Sequence, residues 1–253
     1  MDITSFLGLG CGWFLIMSAF LMEGGSIAAL LQITAGMIII GGTIGATMMA
    51  FPLSDILRAA VMTKRIFIMK EWDKYIIIQQ LIDYAAKARR EGVLCLEVEV
   101  ANNPHPLIRK GLKMVVDGME QETVKSTLEN EIHMMENEYH VAAGVWEIAG
   151  GFAPTMGVVG TVLGLISVLS NLSDPSTLGP KIALAFVATF MGIFFANLLF
   201  LPFANKLKVK GKNEKMINDI ILEGLVCIQE GQNPRMMEDK LYSVLLEEAT
   251  GKK

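Results

Sequence analysis

The chain has 253 residues, of which 52% are hydrophobic and 19% are charged, and its mean hydropathy is +0.45. Such a composition carries too much apolar surface for one ordinary soluble core if the apolar residues fall in long runs. The formal net charge is −4, and the cations are grouped in two segments, a pattern that membrane topology explains better than nucleic-acid binding does.

Four uncharged runs are long enough to cross a bilayer, which takes roughly 20 residues. They are residues 5–22, 33–53, 150–169 and 182–203. The first run is interpreted as a span rather than a cleaved signal peptide, because it lacks a basic leader and is long for the apolar part of such a peptide. The predicted fold class is therefore an all-α integral membrane protein with four transmembrane helices.

The cations predict the orientation of these spans. All of the 22 Lys and Arg residues except Lys181 lie in residues 54–147 and 204–253. Because cytoplasmic segments carry the excess of Lys and Arg, both segments are predicted to be cytoplasmic. Both termini then face the cytoplasm, and only the short connections at residues 23–26 and 171–180 face outward.

The cytoplasmic segments have helical periodicity. Apolar residues recur three and four apart from Ser54, the predicted N-cap, to about Val100, and helix resumes after a break at residues 102–106. A long helix is predicted to rise into the third span, and the tail to stay helical to about Gly231. The predicted organisation is spans one and two in 1–53, a large cytoplasmic helical domain in 54–147, spans three and four in 148–205, and a cytoplasmic helical tail in 206–253.

The third span contains residues that weaken helices. Gly157, Gly160 and Gly164 are three and four apart, so they form a smooth stripe that another helix can approach closely. Pro154 removes a backbone hydrogen bond, and Thr161 adds a hydroxyl. Ordinary helix packing would explain the glycines and the threonine if they were the only signal.

The fourth span carries a parallel set: Ala188, Thr189, Asn197 and Pro202. Two spans thus each have a hydroxyl near the middle and a proline near the cytoplasmic end. None of the four runs contains an Asp, Glu, Lys, Arg or His in its interior. If the protein conducts ions, the titrating carboxylate must come from another chain.

Cysteine, histidine and catalytic patterns add little. The three cysteines and three histidines have neither a CxxC nor a metal-ligand spacing, so no metal site and no cofactor are predicted. The sequence shows no nucleophile with a base and an orienting group, and no phosphate-binding loop. An enzyme is therefore not expected.

The order of spans and loops resembles a known family once three motifs are considered: "ARREGVLCLE", "APTMGVVGTVLGLISVLSNL" and "IALAFVATFMGIFFANLLFLPFANKLK". The chain resembles the MotA family of flagellar motor stator subunits from the first span to about Lys208. The resemblance implies a homopentameric ring in the bacterial cytoplasmic membrane around a MotB-type partner, whose single span supplies an aspartate. It also implies torque on the rotor protein FliG and contact with membrane lipid.

The resemblance also assigns roles to residues. It implies hinges at Pro154 and Pro202, and rotor contact through Arg89 and Glu97 with Arg90 beside them. Charges on such a segment are otherwise usually just solvated.

For the coupling ion, Thr161 and Thr189 resemble sodium-driven relatives such as PomA. Those relatives usually carry a second threonine where this chain has Ala188. Since sodium needs several oxygens and a proton needs one titratable group, the pattern favours protons over sodium.

Two alternatives remain open at this point. Energisers of the ExbB and TolQ type also surround a partner's span, but they have three spans and an outside N-terminus. A scaffold that does not conduct would use the threonines and prolines for packing only.

Overall fold

The computed structural model describes the backbone of residues 3–68, 72–170 and 175–250, and the side chains of residues 3–68, 72–170 and 178–245. Every regular element within these ranges is helical. The helices are α1 (Ile3–Met22), α2 (Ile33–Ala50), α3 (Leu53–Ile68), α4 (Lys74–Glu91), α5 (Glu97–Asn102), α6 (Pro106–Val116), α7 (Gln121–Leu169), α8 (Pro175–Phe195), α9 (Leu201–Gln229) and α10 (Pro234–Thr250).

Four short segments complete the description of the helices. Ile27–Leu30 forms a single turn after α1, and Val93–Leu96 forms a 3₁₀ turn before α5. π-helical segments lie within α2 at Met37–Gly41 and between α8 and α9 at Ala196–Phe200.

Four helices in the described part of the chain are long and apolar enough to cross a membrane. They are α1, α2, α7, and the continuous helix Leu178–Gln229 that α8, the second π segment and α9 form together. The predicted all-α fold with four candidate spans is confirmed.

The chain divides into two compact units. The membrane unit comprises Met1–Met69 and Tyr139–Val209, and the loop–tail unit comprises Lys70–Glu138 and Lys210–Lys253. Because α7 and α9 are long, each contributes residues to both units.

The membrane unit has two small buried clusters. In one, α3 packs through Ala59, Met62 and Ile66 against the first membrane-unit turns of α7 and against Leu207. The other joins α2 to α8 and consists of Ala35, Ile39, Val187 and Ala188. Large apolar side chains elsewhere on α1, α2, α7 and α8 stay exposed, as expected of helices that face lipid or other chains.

The loop–tail unit has a conventional apolar core. Helices α4, α6 and α10 pack with the loop–tail parts of α7 and α9. Its fully buried side chains include Ile78, Leu81, Ile108, Leu112, Leu128, Ile220 and Ile221. These helices therefore form a unit with its own core, whereas α3, which the predicted cytoplasmic domain 54–147 included, packs in the membrane unit.

The predicted cap at Ser54 is wrong. Helix α3 already begins at Leu53, and the carbonyl of Pro52 accepts from the amides of Asp55 and Ile56 at 3.0 and 3.3 Å. The second span also ends earlier than predicted, at Ala50, because the residue before a proline avoids helical geometry, and Phe51 is extended.

The single helix predicted from Ser54 to about Val100 is interrupted. Asp73 caps a new helix by accepting from the amides of Tyr75 and Ile76 at 2.8 and 3.5 Å. Gly92 then ends α4 with a φ of +85°, a conformation that other residues rarely adopt. Both signals were present in the sequence, because Asp is a preferred N-cap and Gly a preferred helix end.

Two predicted continuous helices are confirmed. Helix α7 runs for 49 residues through Pro154 without interruption. Helix α9 ends at Gln229, and Gly231 follows with a φ of +66°. The connection predicted at residues 171–180 begins outside the described residues.

Candidate functional site

The glycine stripe of α7 lies against α8. A β-carbon added at Gly164 would lie 2.9 Å from the Cβ of Ala185, and one at Gly160 would lie 2.7 Å from the Cβ of Ala188. At Gly157 the nearest atom would be the backbone oxygen of Ala188, at 3.0 Å. The two helices therefore approach at distances that leave no room for larger residues.

Helix α8 supplies a complementary set of small residues that the sequence analysis did not recognise. Ala185, Ala188 and Gly192 are three and four residues apart and occupy the same contact. A β-carbon at Gly192 would lie 2.6 Å from the carbonyl oxygen of Ala153 and 3.1 Å from the Cα of Gly157. The spacing of small residues on the fourth span was the signal that could have identified this set.

The close approach brings the two predicted hydroxyls together. The hydroxyl oxygens of Thr161 and Thr189 are in direct contact. The Thr161 hydroxyl also has two carbonyl acceptors in reach, Gly157 at 3.0 Å and Ala185 at 3.1 Å, and the Thr189 hydroxyl reaches Ala185 at 3.4 Å. Four oxygens thus converge between two apolar helices, and a threonine that only bonded its own preceding turn would not produce this arrangement.

Ala188 lies beside the oxygen cluster but is fully buried. Its methyl group fills the space over Gly160 and packs with Ile39 and Val187. This position is therefore filled by a tight apolar contact.

The regions around the two predicted hinge prolines meet each other. Pro154 has no amide hydrogen, so the carbonyl of Gly150, four residues earlier, loses its usual helical donor. A β-carbon at Gly150 would lie 2.7 Å from a side-chain carbon of Leu201 and 3.5 Å from its backbone nitrogen. Leu201 directly precedes Pro202, so the two proline-weakened turns lie next to each other.

The helix turn before Pro202 is π-helical, whereas α7 continues as an α-helix through Pro154. In the π segment, the side-chain amide of Asn197 donates to the carbonyl of Ile193 at 2.9 Å. A polar side chain that satisfies backbone in this way is how membrane helices tolerate irregular turns.

The predicted rotor charges lie in the loop–tail unit and point outward. Arg89 and Arg90 are exposed in the last turn of α4, and Glu97 is exposed at the start of α5. The guanidinium of Arg90 donates to the carbonyl of Ala86 at 3.2 Å. Among the described residues, Arg89 and Glu97 have no ion-pair partner.

Two contacts that the sequence analysis missed hold this surface in place. The Lys87 ammonium donates to Glu99 at 3.1 Å and thereby joins α4 to α5, which raises the pKa of Lys87 above its usual value. The Asn103 amide donates to the Tyr84 hydroxyl at 3.0 Å, across the same two helices. Burial raises the pKa of Tyr84.

His105 extends this polar cluster into the core. Its amide donates to the side-chain oxygen of Asn103 at 2.8 Å, and its ring centroid lies 4.8 Å from that of Trp72. Burial lowers the pKa of His105 to about 4, so the ring is neutral at ordinary pH. The described residues contain no group of three or more His, Cys, Asp or Glu side chains that could hold a metal ion.

Comparison with known proteins identifies the family to which this chain belongs. Residues 100–221 match the MotA/TolQ/ExbB proton channel family, and residues 6–92 match the N-terminal region of motility protein A. Motility protein A of Aquifex aeolicus is 35% identical over 97% of this chain and 97% of its own length. The chain belongs to the motility protein A family.

Solved structures agree with this family. The structure of the flagellar MotAB stator complex from Bacillus subtilis matches with a TM-score of 0.87 and 35% identity, over 98% of this chain and 99% of that chain. The structure of C. jejuni MotAB matches with a TM-score of 0.89 and 31% identity, over 96% of both chains. The resemblance to MotA is thus confirmed, and the ExbB or TolQ alternative is not favoured.

Proposed function

We propose that this protein is the ring-forming stator subunit of a bacterial flagellar motor and that, with a MotB-type partner, it converts ion flow into torque. It is an integral protein of the inner membrane, with both termini in the cytoplasm and five copies around the partner's span. The relatives named motility protein A and the two MotAB structures support the function and the partner. The grouping of Lys and Arg supports the orientation.

The observation that carries the mechanism is the oxygen cluster between α7 and α8. The Thr161 and Thr189 hydroxyls meet there with the carbonyls of Gly157 and Ala185, inside spans that lack an ionisable side chain. Such a cluster can receive a neutral or hydrated species but cannot itself titrate between protonated and charged forms. The titrating group is therefore the aspartate of the partner, positioned beside these oxygens.

Protons are the proposed coupling ion. Sodium must replace its water with several oxygens, whereas the two hydroxyls here already bond each other and the carbonyls of Gly157 and Ala185. The position where sodium-driven relatives usually add a hydroxyl is Ala188, which is fully buried against Gly160. A proton needs only the partner's carboxylate.

The proposed torque step uses the weakened turns at Pro154 and Pro202. Moving one charge across the membrane is worth about 2.3 kcal/mol per 100 mV, so a single ion cannot refold a packed core. It can shift a soft element between two arrangements. Neutralisation of the partner's aspartate lets the ring advance, and α7 and α9, which both extend into the loop–tail unit, carry that advance toward the Arg89 and Glu97 surface and the rotor protein FliG.

Tethered-cell rotation tests the ion and the cluster together. Rotation is expected to continue in sodium-free medium and to stop when a protonophore is added. Rotation that stops without sodium and survives the protonophore would overturn the proton assignment.

Thr161→Val, which removes one hydroxyl and keeps the side-chain shape, is expected to lower torque at unchanged protein level. Thr155→Val is the matched control, since the Thr155 hydroxyl is exposed and, within the described part of the chain, bonds only the Phe152 carbonyl, at 2.7 Å. Torque equal to that of the wild type from both variants would remove the oxygen cluster from the mechanism.

A further inference from the structure

The membrane unit contains an open cavity of about 280 Å³ that the ion pathway does not use. Three elements surround it: the first two turns of α1, the end of α3, and the helix around Pro202. The lining residues include Thr4, Ser5, Gly8, Phe67, Leu198 and Lys206. Its volume is near the lower end of small-molecule sites, roughly 300 Å³.

The chemistry of this cavity is divided between a polar and an apolar part. Thr4, Ser5 and Lys206 supply two hydroxyls and an ammonium. The rest of the wall is hydrocarbon, with Phe67 and Leu198 as its largest members. The ligand that fits both parts is amphipathic and negatively charged at one end.

The polar residues also lie at the predicted cytoplasmic ends of the first and fourth spans, the level at which a lipid of that leaflet carries its charged headgroup. Thr4 and Ser5 are in the first turn of α1, and the N-terminal end of a helix favours an anion through its dipole. Lys206 follows the fourth span by only a few residues. A lysine ammonium has three donors, so it can bind a phosphate in addition to a protein group.

We infer that this cavity binds one anionic phospholipid of the cytoplasmic leaflet. Its phosphate lies at Lys206, Thr4 and Ser5, and the first part of an acyl chain lies along Gly8 and Leu198. Cations at such a position attract the anionic lipids of that leaflet. The site requires that the protein is embedded in the membrane in the proposed orientation, but it does not depend on ion coupling.

Native mass spectrometry of the intact complex with its partner subunit, taken from vesicles that contain phosphatidylglycerol, tests the inference. Lys206→Gln is expected to weaken retention of this lipid about fivefold, the effect of one lysine at a membrane surface. Lys208→Gln is the matched control, because Lys208 lies at the same end of the span but pairs with Glu147 at 2.6 Å and does not line the cavity.

A second pair of variants tests the volume of the cavity. Gly8 lines the cavity and Gly10 does not, and a β-carbon at either residue would meet nothing within 4 Å. Gly8→Leu is expected to abolish specific retention of the lipid, whereas Gly10→Leu should leave it unchanged. The same spectra report whether each complex is assembled. Retention equal to wild type in both Lys206→Gln and Gly8→Leu would overturn the inference. Equal retention of phosphatidylcholine and phosphatidylglycerol by the wild-type protein would overturn the inference that the cavity selects an anionic headgroup.

Discussion

A single methyl group at Gly192 is predicted to separate the two helices that build the oxygen cluster. In the structure, a β-carbon at this position would lie 2.6 Å from the carbonyl oxygen of Ala153, whereas ordinary contacts begin near 3.4 Å. The added β-carbon would therefore lie about 0.8 Å too close to the Ala153 oxygen. The opposing atoms are backbone, so no side chain can rotate away, and α7 and α8 themselves must move apart.

The expected loss of stability in Gly192→Ala is the difference between two opposing effects. Overpacking of this kind costs about 1–3 kcal/mol. Alanine also favours a helix over glycine by about 1 kcal/mol, which reduces the observed loss. Gly151→Ala isolates the second effect, because Gly151 lies in α7 and a β-carbon there would meet nothing within 4 Å.

Thermal unfolding of the purified complex measures this difference. Gly192→Ala is expected to unfold roughly 2–12 °C below Gly151→Ala, from a shift of about 2–4 °C for each kcal/mol in a chain of this size. Rotation should fall in Gly192→Ala as well, because the shift opens the contact between Thr161 and Thr189. Equal unfolding temperatures for the two variants would refute the close contact between the helices.

Three further predictions follow from other parts of the structure. Charge reversal at Arg89 or Glu97 should impair rotation, and a matching charge reversal on the rotor protein should partly restore it. The control Lys125→Glu, an exposed change in the same unit, should leave rotation normal, and normal swimming by the single variants at Arg89 and Glu97 would contradict the prediction. Burial holds the pKa of His105 near 4, so as the pH falls the unfolded chain binds a proton at this residue before the folded chain does. The free energy of unfolding of the loop–tail unit should therefore decrease between about pH 6.5 and 4, and His105→Phe should reduce this decrease in acid unfolding curves. Pro154→Ala and Pro202→Ala should leave assembly intact and lower torque in tethered cells. Full torque from both variants would exclude a hinge role for the two prolines.

The fold was largely predictable because the membrane imposes strong patterns. Long uncharged runs identified all four candidate spans, and the absence of breakers correctly predicted the continuous helix α7. The boundaries were less accurate. Pro52, Asp73 and Gly92 each decide where a helix begins or ends, and the overall periodicity concealed these local signals.

The candidate site was predictable in composition but not in geometry. The spacing of Gly157, Gly160 and Gly164 indicated that some helix approaches closely, and the structure shows that this helix is α8. A sequence cannot show that Thr161 meets Thr189, since that contact depends on the rotation of two helices about their axes. The ion pair between Lys87 and Glu99 was missed for a similar reason, because the turn at Gly92 must first bring α4 and α5 together.

The second π segment makes the backbone around the two prolines different. Pro154 removes a donor from a helix that otherwise keeps its α-helical form, so the loss is confined to the carbonyl of Gly150. Before Pro202, the turn Ala196–Phe200 has already changed its hydrogen-bond pattern, and Asn197 satisfies a carbonyl there through its side chain. Since a π turn can return to α-helical geometry by shifting one residue, this turn can change register at low cost. Of the two proposed hinges, the one at Pro202 is therefore expected to be the softer, and Pro202→Ala should lower torque more than Pro154→Ala does.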